Sequence, residues 1–142
     1  MRRYLEFALV VVLVAGLALV LMRELEKARN DMEEAGVQGQ ASSIRVQLLE
    51  TVAHRETFGG KLPASDNPFD WVSDRPSNYV GAVDQPPRET GVWFFDKSDK
   101  LLIYRFQDGH AARFRLTRDG GRTGQRGIVS GVGLLRLDDK NE

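Results

Sequence analysis

The feature that most constrains this chain is an uninterrupted apolar run close to its start. Residues 7–22 read FALVVVLVAGLALVLM, without a charged or strongly polar side chain. With Tyr4 and Leu5 included, a helix over residues 4–22 is about 28 Å long, close to the roughly 30 Å hydrocarbon core of a bilayer. The apolar side chains outweigh the cost of the one carboxylate, Glu6. We therefore predict a transmembrane helix over residues 4–22.

A cleaved signal peptide is the alternative interpretation of this run. Arg2 and Arg3 supply a basic start, and small residues occur at Ala15, Gly16 and Ala18. The run is longer than the usual apolar region of a signal peptide and has no clean A-x-A site. A retained anchor is favoured, with residues 1–3 as a cytoplasmic tail and the larger domain outside the cytoplasm.

Residues 23–57 predict a continuation of the helix beyond the membrane, because they contain no proline and are rich in helix formers. Apolar and small residues recur in them at spacings of three and four, which is a heptad-like pattern. We call this set the seam: Leu25, Ala28, Met32, Ala35, Gly39, Ser42, Val46, Leu49 and Ala53. From Ile44 onward a wider apolar arc is expected to lie on a sheet: Ile44, Val46, Leu48, Leu49, Val52 and Ala53. The sequence Phe58-Gly59-Gly60 predicts the end of the helix.

Residues 58–90 contain all five prolines of the chain and predict an irregular connecting segment. The apolar side chains Phe69, Trp71, Tyr79 and Val80 are expected to hold this segment against the domain.

Residues 91–142 predict the sheet of the exported domain. GVWFFD and LLIYRF flank a turn and form a hairpin signal, AARFRL predicts a third strand, and residues 128–137 a last one. Alternation places Trp93 and Phe95 on the face opposite Val92 and Phe94. It also sets Leu102 and Tyr104 against Leu101, Ile103 and Phe106, and turns Ala112, Phe114 and Leu116 inward with Arg113 and Arg115 outward. The predicted fold class is α+β, a long helix packed on a small antiparallel sheet.

The composition argues against nucleic-acid binding and against a site built on cysteine. Lys plus Arg and Asp plus Glu both number 20, so the chain lacks the basic excess of a nucleic-acid-binding protein. There is no cysteine for a disulfide or a thiolate metal site.

Residues capable of chemistry are scattered. His54 and His110 are far apart in sequence, and no metalloprotease, nucleophile-elbow or P-loop motif occurs. Asp96 and Asp99 flank the hairpin turn, where aspartate usually accepts hydrogen bonds from its own backbone. An arginine series is interpreted as a solvated strand face, with binding of an anion or acidic partner as the alternative: Arg113, Arg115, Arg118, Arg122 and Arg126. We expect no enzyme activity, no metal and no cofactor.

Glu6 is a candidate assembly residue, because a carboxylate inside a spanning segment is by default a functional hypothesis. The alternative is that it extends to the cytoplasmic headgroups. Leu25, Met32 and Leu49 on the seam are the further candidates for helix–helix association.

Three segments resemble a known family. Residues 4–16, YLEFALVVVLVAG, are similar to the pilin N-terminus, where an apolar helix carries one glutamate near its start. Residues 67–81, NPFDWVSDRPSNYVG, and residues 91–106, GVWFFDKSDKLLIYRF, are similar to segments of minor pilin-like proteins. The chain thus resembles type IV pilins and pseudopilins, and among them biogenesis proteins of the mannose-sensitive haemagglutinin (MSHA) pilus.

This resemblance implies a bacterial inner-membrane protein with a periplasmic domain. Its partners would be other pilin-like, pilus or secretion assembly proteins and the lipid bilayer, with no nucleic acid. One departure concerns processing: prepilin peptidase cuts after a glycine, whereas Arg3 precedes Tyr4 here and the first glycine is Gly16. An unprocessed assembly factor is therefore expected. The alternatives are a type II secretion pseudopilin and a periplasmic ligand-binding module that uses the loop of Trp71 and Tyr79.

Overall fold

One long helix, α1, spans Arg2–Phe58 in the computed structural model, which describes residues 1–118, 128–129 and 132–137. It has no proline, and Gly59 ends it in a left-handed conformation with φ of 81°. The Gly59 amide donates to the Arg55 carbonyl at 2.9 Å, which satisfies one of the last helical acceptors. This confirms the predicted helix end. The chain forms two compact units, Met1–Gly36 and Val37–Glu142, whose boundary lies inside α1.

In the second unit, one face of α1 is buried against the sheet, and we call it the core face. Its members recur every three or four residues: Val37, Ala41, Ile44, Leu48 and Val52. The predicted arc was therefore partly wrong. Val46 is 59% exposed, Ala53 is also exposed and Leu49 is half-buried. At about 100° per residue, Val46 and Ala53 lie on the far side of the helix from Leu48.

Within the described residues, the sheet has six strands in the order β1-β2-β3-β4-β6-β5. Their bounds are Tyr79–Val83 (β1), Val92–Asp96 (β2), Leu101–Arg105 (β3), Ala111–Thr117 (β4), Ile128–Val129 (β5) and Val132–Arg136 (β6). The pairs β2–β3, β3–β4, β4–β6 and β5–β6 are antiparallel. Two strands, β5 and β6, stand where a single last strand was predicted. The pair β1–β2 is parallel, so the sheet is mixed and not wholly antiparallel as predicted. The α+β class, a long helix packed on a sheet, is confirmed.

The main core lies between the sheet and the core face of α1. Its largest buried side chains are Trp93, Phe69, Phe106, Phe114, Leu48 and Leu102. Trp93 contacts Phe69 edge-on at 6.1 Å between ring centroids, and Phe114 at 5.6 Å. Across this core, Arg45 Nε donates to the Leu134 carbonyl at 3.0 Å, which ties α1 to β6.

The predicted alternation holds along the strands. Trp93, Phe95, Leu102 and Tyr104 join the main core, whereas Phe94, Leu101 and Ile103 form a second cluster on the opposite sheet face. Ala112, Phe114 and Leu116 are buried, and Arg113 and Arg115 are exposed. The prediction for Phe106 was wrong. Alternation with a period of two puts residue 106 on the side of Leu102 and Tyr104, and Phe106 lies with them in the main core.

The proline-rich segment contains more regular structure than predicted. A 3₁₀ helix at Pro68–Asp70 is capped by Asn67, whose side chain accepts from the Phe69 amide, and β1 follows. Phe69 and Trp71 are buried and Tyr79 packs against the core, as expected. Val80 was wrongly placed, since it is 44% exposed.

Candidate functional site

The first unit exposes its apolar side chains on all sides of α1. Leu9, Val12, Leu17 and Leu21 are each more than half exposed, and none of the apolar window is buried within the chain. In the described residues, α1 is the one helix long and apolar enough to cross a membrane, by length and composition. The surface of this helix is therefore compatible with a single-pass membrane anchor.

Glu6 lies inside α1 between the exposed side chains of Leu5 and Phe7. It is one turn from Arg2 and Arg3, at the start of the apolar surface. This position places a carboxylate at one end of the span, where its cost in a bilayer is lower than at the centre.

Leu25 and Met32 form an exposed groove on α1 in the first unit. Met32 is 76% exposed, and the groove has a volume of about 390 Å³ lined by Leu25, Glu26, Ala28, Arg29 and Met32. An exposed apolar helix surface suits contact with another helix, because side chains at spacings of three and four can interdigitate with a neighbour.

The seam of the second unit faces away from the sheet. Gly39, Ser42, Val46 and Ala53 are exposed and Leu49 is half-buried, while the core face carries the tertiary packing. The small residues Gly39 and Ser42 would let a second backbone approach closely. α1 therefore presents one face to its own sheet and leaves the seam uncovered by the described residues.

The four predicted assembly residues do not converge on one point. Leu25 and Met32 share the groove, Glu6 lies about 28 Å before Leu25 along α1, and Leu49 belongs to the second unit. Glu6, Leu25 and Met32 are exposed in the first unit, and Leu49 is half-buried in the second.

The arginine series separates into different roles. Arg113 and Arg115 project from β4 on the face opposite the main core. Arg118 instead donates to the Ser65 carbonyl at 2.6 Å, pairs with Asp66 and lies 5.6 Å from the centre of the Trp71 ring. Arg122 and Arg126 lie outside the described residues.

Each of the two histidines packs against a phenylalanine ring. His54 packs on Phe58 at 4.8 Å, and His110 stacks on Phe106 at 4.0 Å. Asp108 accepts from the His110 backbone and contacts its ring, which lowers the pKa of the Asp108 carboxyl. The described part of the chain has no cluster of three metal-ligating side chains.

Asp96 has the backbone role expected of a turn aspartate. Its Oδ1 accepts from the amides of Ser98 at 2.8 Å and Asp99 at 3.3 Å, so it holds the β2–β3 turn.

Trp71 and Tyr79, the predicted ligand surface, are occupied by contacts within the domain. Trp71 is 5% exposed and its Nε1 donates to the Ser65 carbonyl at 2.8 Å. An open groove of about 410 Å³ beside it is lined by Glu50, Thr51, His54, Arg55, Trp71 and Ser73. Little aromatic surface is left there for stacking on a ligand.

Sequence reasoning missed a smaller groove on the sheet face opposite α1. It has a volume of about 170 Å³, and Pro86 and Arg105 line it beside side chains of β2, β3 and β4. The alternation of β4 indicated the position of Arg113 at its edge, but Pro86 comes from the connecting segment and only folding brings it there.

No family model, no curated protein and no solved structure matches this chain.

Proposed function

We propose that this protein is a membrane-anchored, pilin-like component of type IV pilus biogenesis. Within that class, we propose a biogenesis protein of the MSHA pilus of the F type, which the segments quoted above resemble. The observation that supports this proposal best is the division of α1. Its first part is apolar and exposed on all sides, and the part from Val37 onward buries one face against a sheet.

The protein acts by association and not by catalysis in this proposal. The exposed span would lie among other apolar helices in the bilayer. Beyond it, the groove of Leu25 and Met32 and the seam from Gly39 to Ala53 would contact neighbouring helices. A heptad-like surface that its own sheet leaves uncovered supports this function.

The proposed location is the bacterial inner membrane, with the N-terminus cytoplasmic and the sheet domain periplasmic. Arg2 and Arg3, which directly precede the apolar run, favour this orientation. Alkaline phosphatase fused to the C-terminus should be active, and the same enzyme fused before Met1 should be inactive. The opposite pattern would reverse the proposed topology.

Co-purification of the full-length protein with pilin-like proteins of its host tests the association. Met32→Lys should abolish co-purification, because it places a charge in an apolar helix contact. Asn30→Lys is the matched control, since it adds the same charge about 160° around the same turn. Val46→Lys and Gln40→Lys form the corresponding pair in the second unit.

If Met32→Lys and Val46→Lys retain their partners as well as the controls do, the seam is not an assembly surface and the proposal fails. Recovery of type II secretion proteins in place of pilus proteins would select the pseudopilin alternative.

Intact mass spectrometry of the protein from membranes determines its role within the system. A full-length or Met-trimmed mass indicates an unprocessed assembly factor, as the absence of glycine before Tyr4 predicts. A mass that begins at Tyr4 with a methylated amine would place the protein in the fibre.

A further inference from the structure

The sheet face opposite the main core has its own apolar cluster. Phe94, Leu101 and Ile103 are buried there, and Val83, Ala111 and Leu137 pack against them. This cluster lies over the central strands, since β2 pairs with β3 and β3 pairs with β4.

A groove opens on this cluster. Phe94, Ile103 and Ala111 line it together with Pro86, Arg105 and Arg113, and its volume is about 170 Å³. Sites for drug-sized ligands usually have about 300 to 1,000 Å³. The groove therefore suits a single apolar side chain better than a whole small molecule.

The edge of the groove is positively charged. Arg113 and Arg115 are exposed at successive outward positions of β4, about 7 Å apart along the strand. Among the described residues, neither guanidinium has an ion-pair or hydrogen-bond partner. Arg105 adds a third guanidinium, although part of it donates to the Pro87 carbonyl.

Strands β2, β3 and β4 contain one acidic residue, Asp96. Asp96 is buried and accepts hydrogen bonds from the amides of its own turn, so it does not neutralise the arginines. Arginine is enriched in protein interfaces because its planar group binds carboxylates through two hydrogen bonds. The same three strands expose no large hydrophobic side chain that would insert into a bilayer.

We propose that this groove, with Arg113 and Arg115, is a docking surface for an acidic segment of a partner protein. One aliphatic side chain of the segment enters the groove, and carboxylates on both sides of it pair with the two arginines. This inference goes beyond the helix-mediated assembly proposed above and holds whether or not the seam binds other helices.

The test uses the full chain in phosphatidylcholine nanodiscs and a fluorescent peptide, Glu-Asp-Leu-Glu-Asp, followed by anisotropy. The peptide should bind, and more weakly as salt rises from about 50 to about 300 mM, because exposed ion pairs are screened. Replacing its Leu by Ser should weaken binding about fivefold or more, on the order of the transfer of one apolar side chain.

Two variants and one control locate the contact. Arg113→Glu should weaken binding about tenfold, through loss of an attraction and gain of a repulsion. Ala111→Leu fills the groove and should make the Leu and Ser peptides bind equally. Lys61→Glu makes the same change in net charge at an exposed position outside the sheet, and should stay within about twofold of the unaltered protein.

Four results would overturn the proposal. Equal binding of the Leu and Ser peptides to the unaltered protein, or equal losses in Arg113→Glu and Lys61→Glu, would show unspecific attraction. Absence of binding up to about 5 mM peptide would exclude the site. Arg113-dependent binding to phosphatidylglycerol vesicles without binding to the peptide would identify a membrane surface instead. Near-ultraviolet circular dichroism of the tryptophans confirms that each variant is folded.

Discussion

The side-chain amide of Asn67 donates to the hydroxyl of Tyr79 at 2.8 Å. The Oδ1 atom of Asn67 accepts from the Phe69 backbone N–H at 3.1 Å, so both polar atoms of the Asn67 side chain are hydrogen-bonded. Asn67 is buried and Tyr79 is half-buried. The pair therefore joins the proline-rich segment to the first strand of the sheet through a partly buried polar contact.

Tyr79→Phe should destabilise the domain by about 1 to 2 kcal/mol, because it leaves a buried Asn67 N–H without its acceptor. Chemical unfolding of the full-length protein in detergent, followed by tryptophan fluorescence, measures the change. Val80→Ala, at the exposed neighbouring position, should change stability by less than about 0.5 kcal/mol. An equal effect of the two substitutions would show that the hydrogen bond contributes nothing.

Stability should also decline at alkaline pH through Tyr79. Burial raises the pKa of its phenol, and the Asn67 hydrogen bond offsets part of that rise. The unfolded chain then loses the proton first, near the ordinary pKa of about 10. This contribution to stability is complete below that pH and is lost as pH rises through the folded pKa. Unfolding measured from pH 8 to 11 should show a steeper loss in the unaltered protein than in Tyr79→Phe, and parallel curves would contradict the assignment.

Alanine substitutions should distinguish the core face of α1 from the seam. Leu48 is 1% exposed on the core face, so Leu48→Ala should cost about 2 to 5 kcal/mol through lost burial and the cavity left behind. Val46→Ala removes methyl groups from the exposed seam and should cost less than about 0.5 kcal/mol. Thermal unfolding of both variants compares them, and a larger effect at Val46 would mean that the core face is wrongly assigned.

Substitutions of Arg113, on β4, and of Arg118, just after β4, should differ in their effect on stability. Arg118→Gln removes a hydrogen bond to Ser65, an ion pair with Asp66 and the contact with Trp71, and should cost about 0.5 to 1.5 kcal/mol. Arg113→Gln should leave stability within about 0.5 kcal/mol, since the Arg113 side chain has no ion-pair or hydrogen-bond partner among the described residues. Urea unfolding at equal salt measures both. A loss at Arg113 equal to that at Arg118 would reveal a structural role for Arg113.

Part of the candidate site followed from local pattern. The heptad-like spacing indicated a seam that includes Leu25 and Met32, and these two residues line an exposed groove. Alternation on β4 predicted that Arg113 points outward, and it is exposed. Leu49 shows the limit of that reasoning. Spacing assigned it to both the seam and the sheet-facing arc, and it lies half-buried between the two faces. The sheet determines which face of α1 is buried, because its side chains pack against Ile44 and Leu48.

The sequence by itself determined the elements whose signals are local. These are the apolar span, the helix end at Gly59, the β2–β3 hairpin and the inward residues of β4, because hydrophobic period and turn chemistry act over a few residues. Tertiary structure decided the parallel pairing of β1 with β2, the burial of Val37, and the groove between Pro86 and Ile103. Each of these depends on contacts between residues distant in the chain, and such contacts leave no period in the sequence.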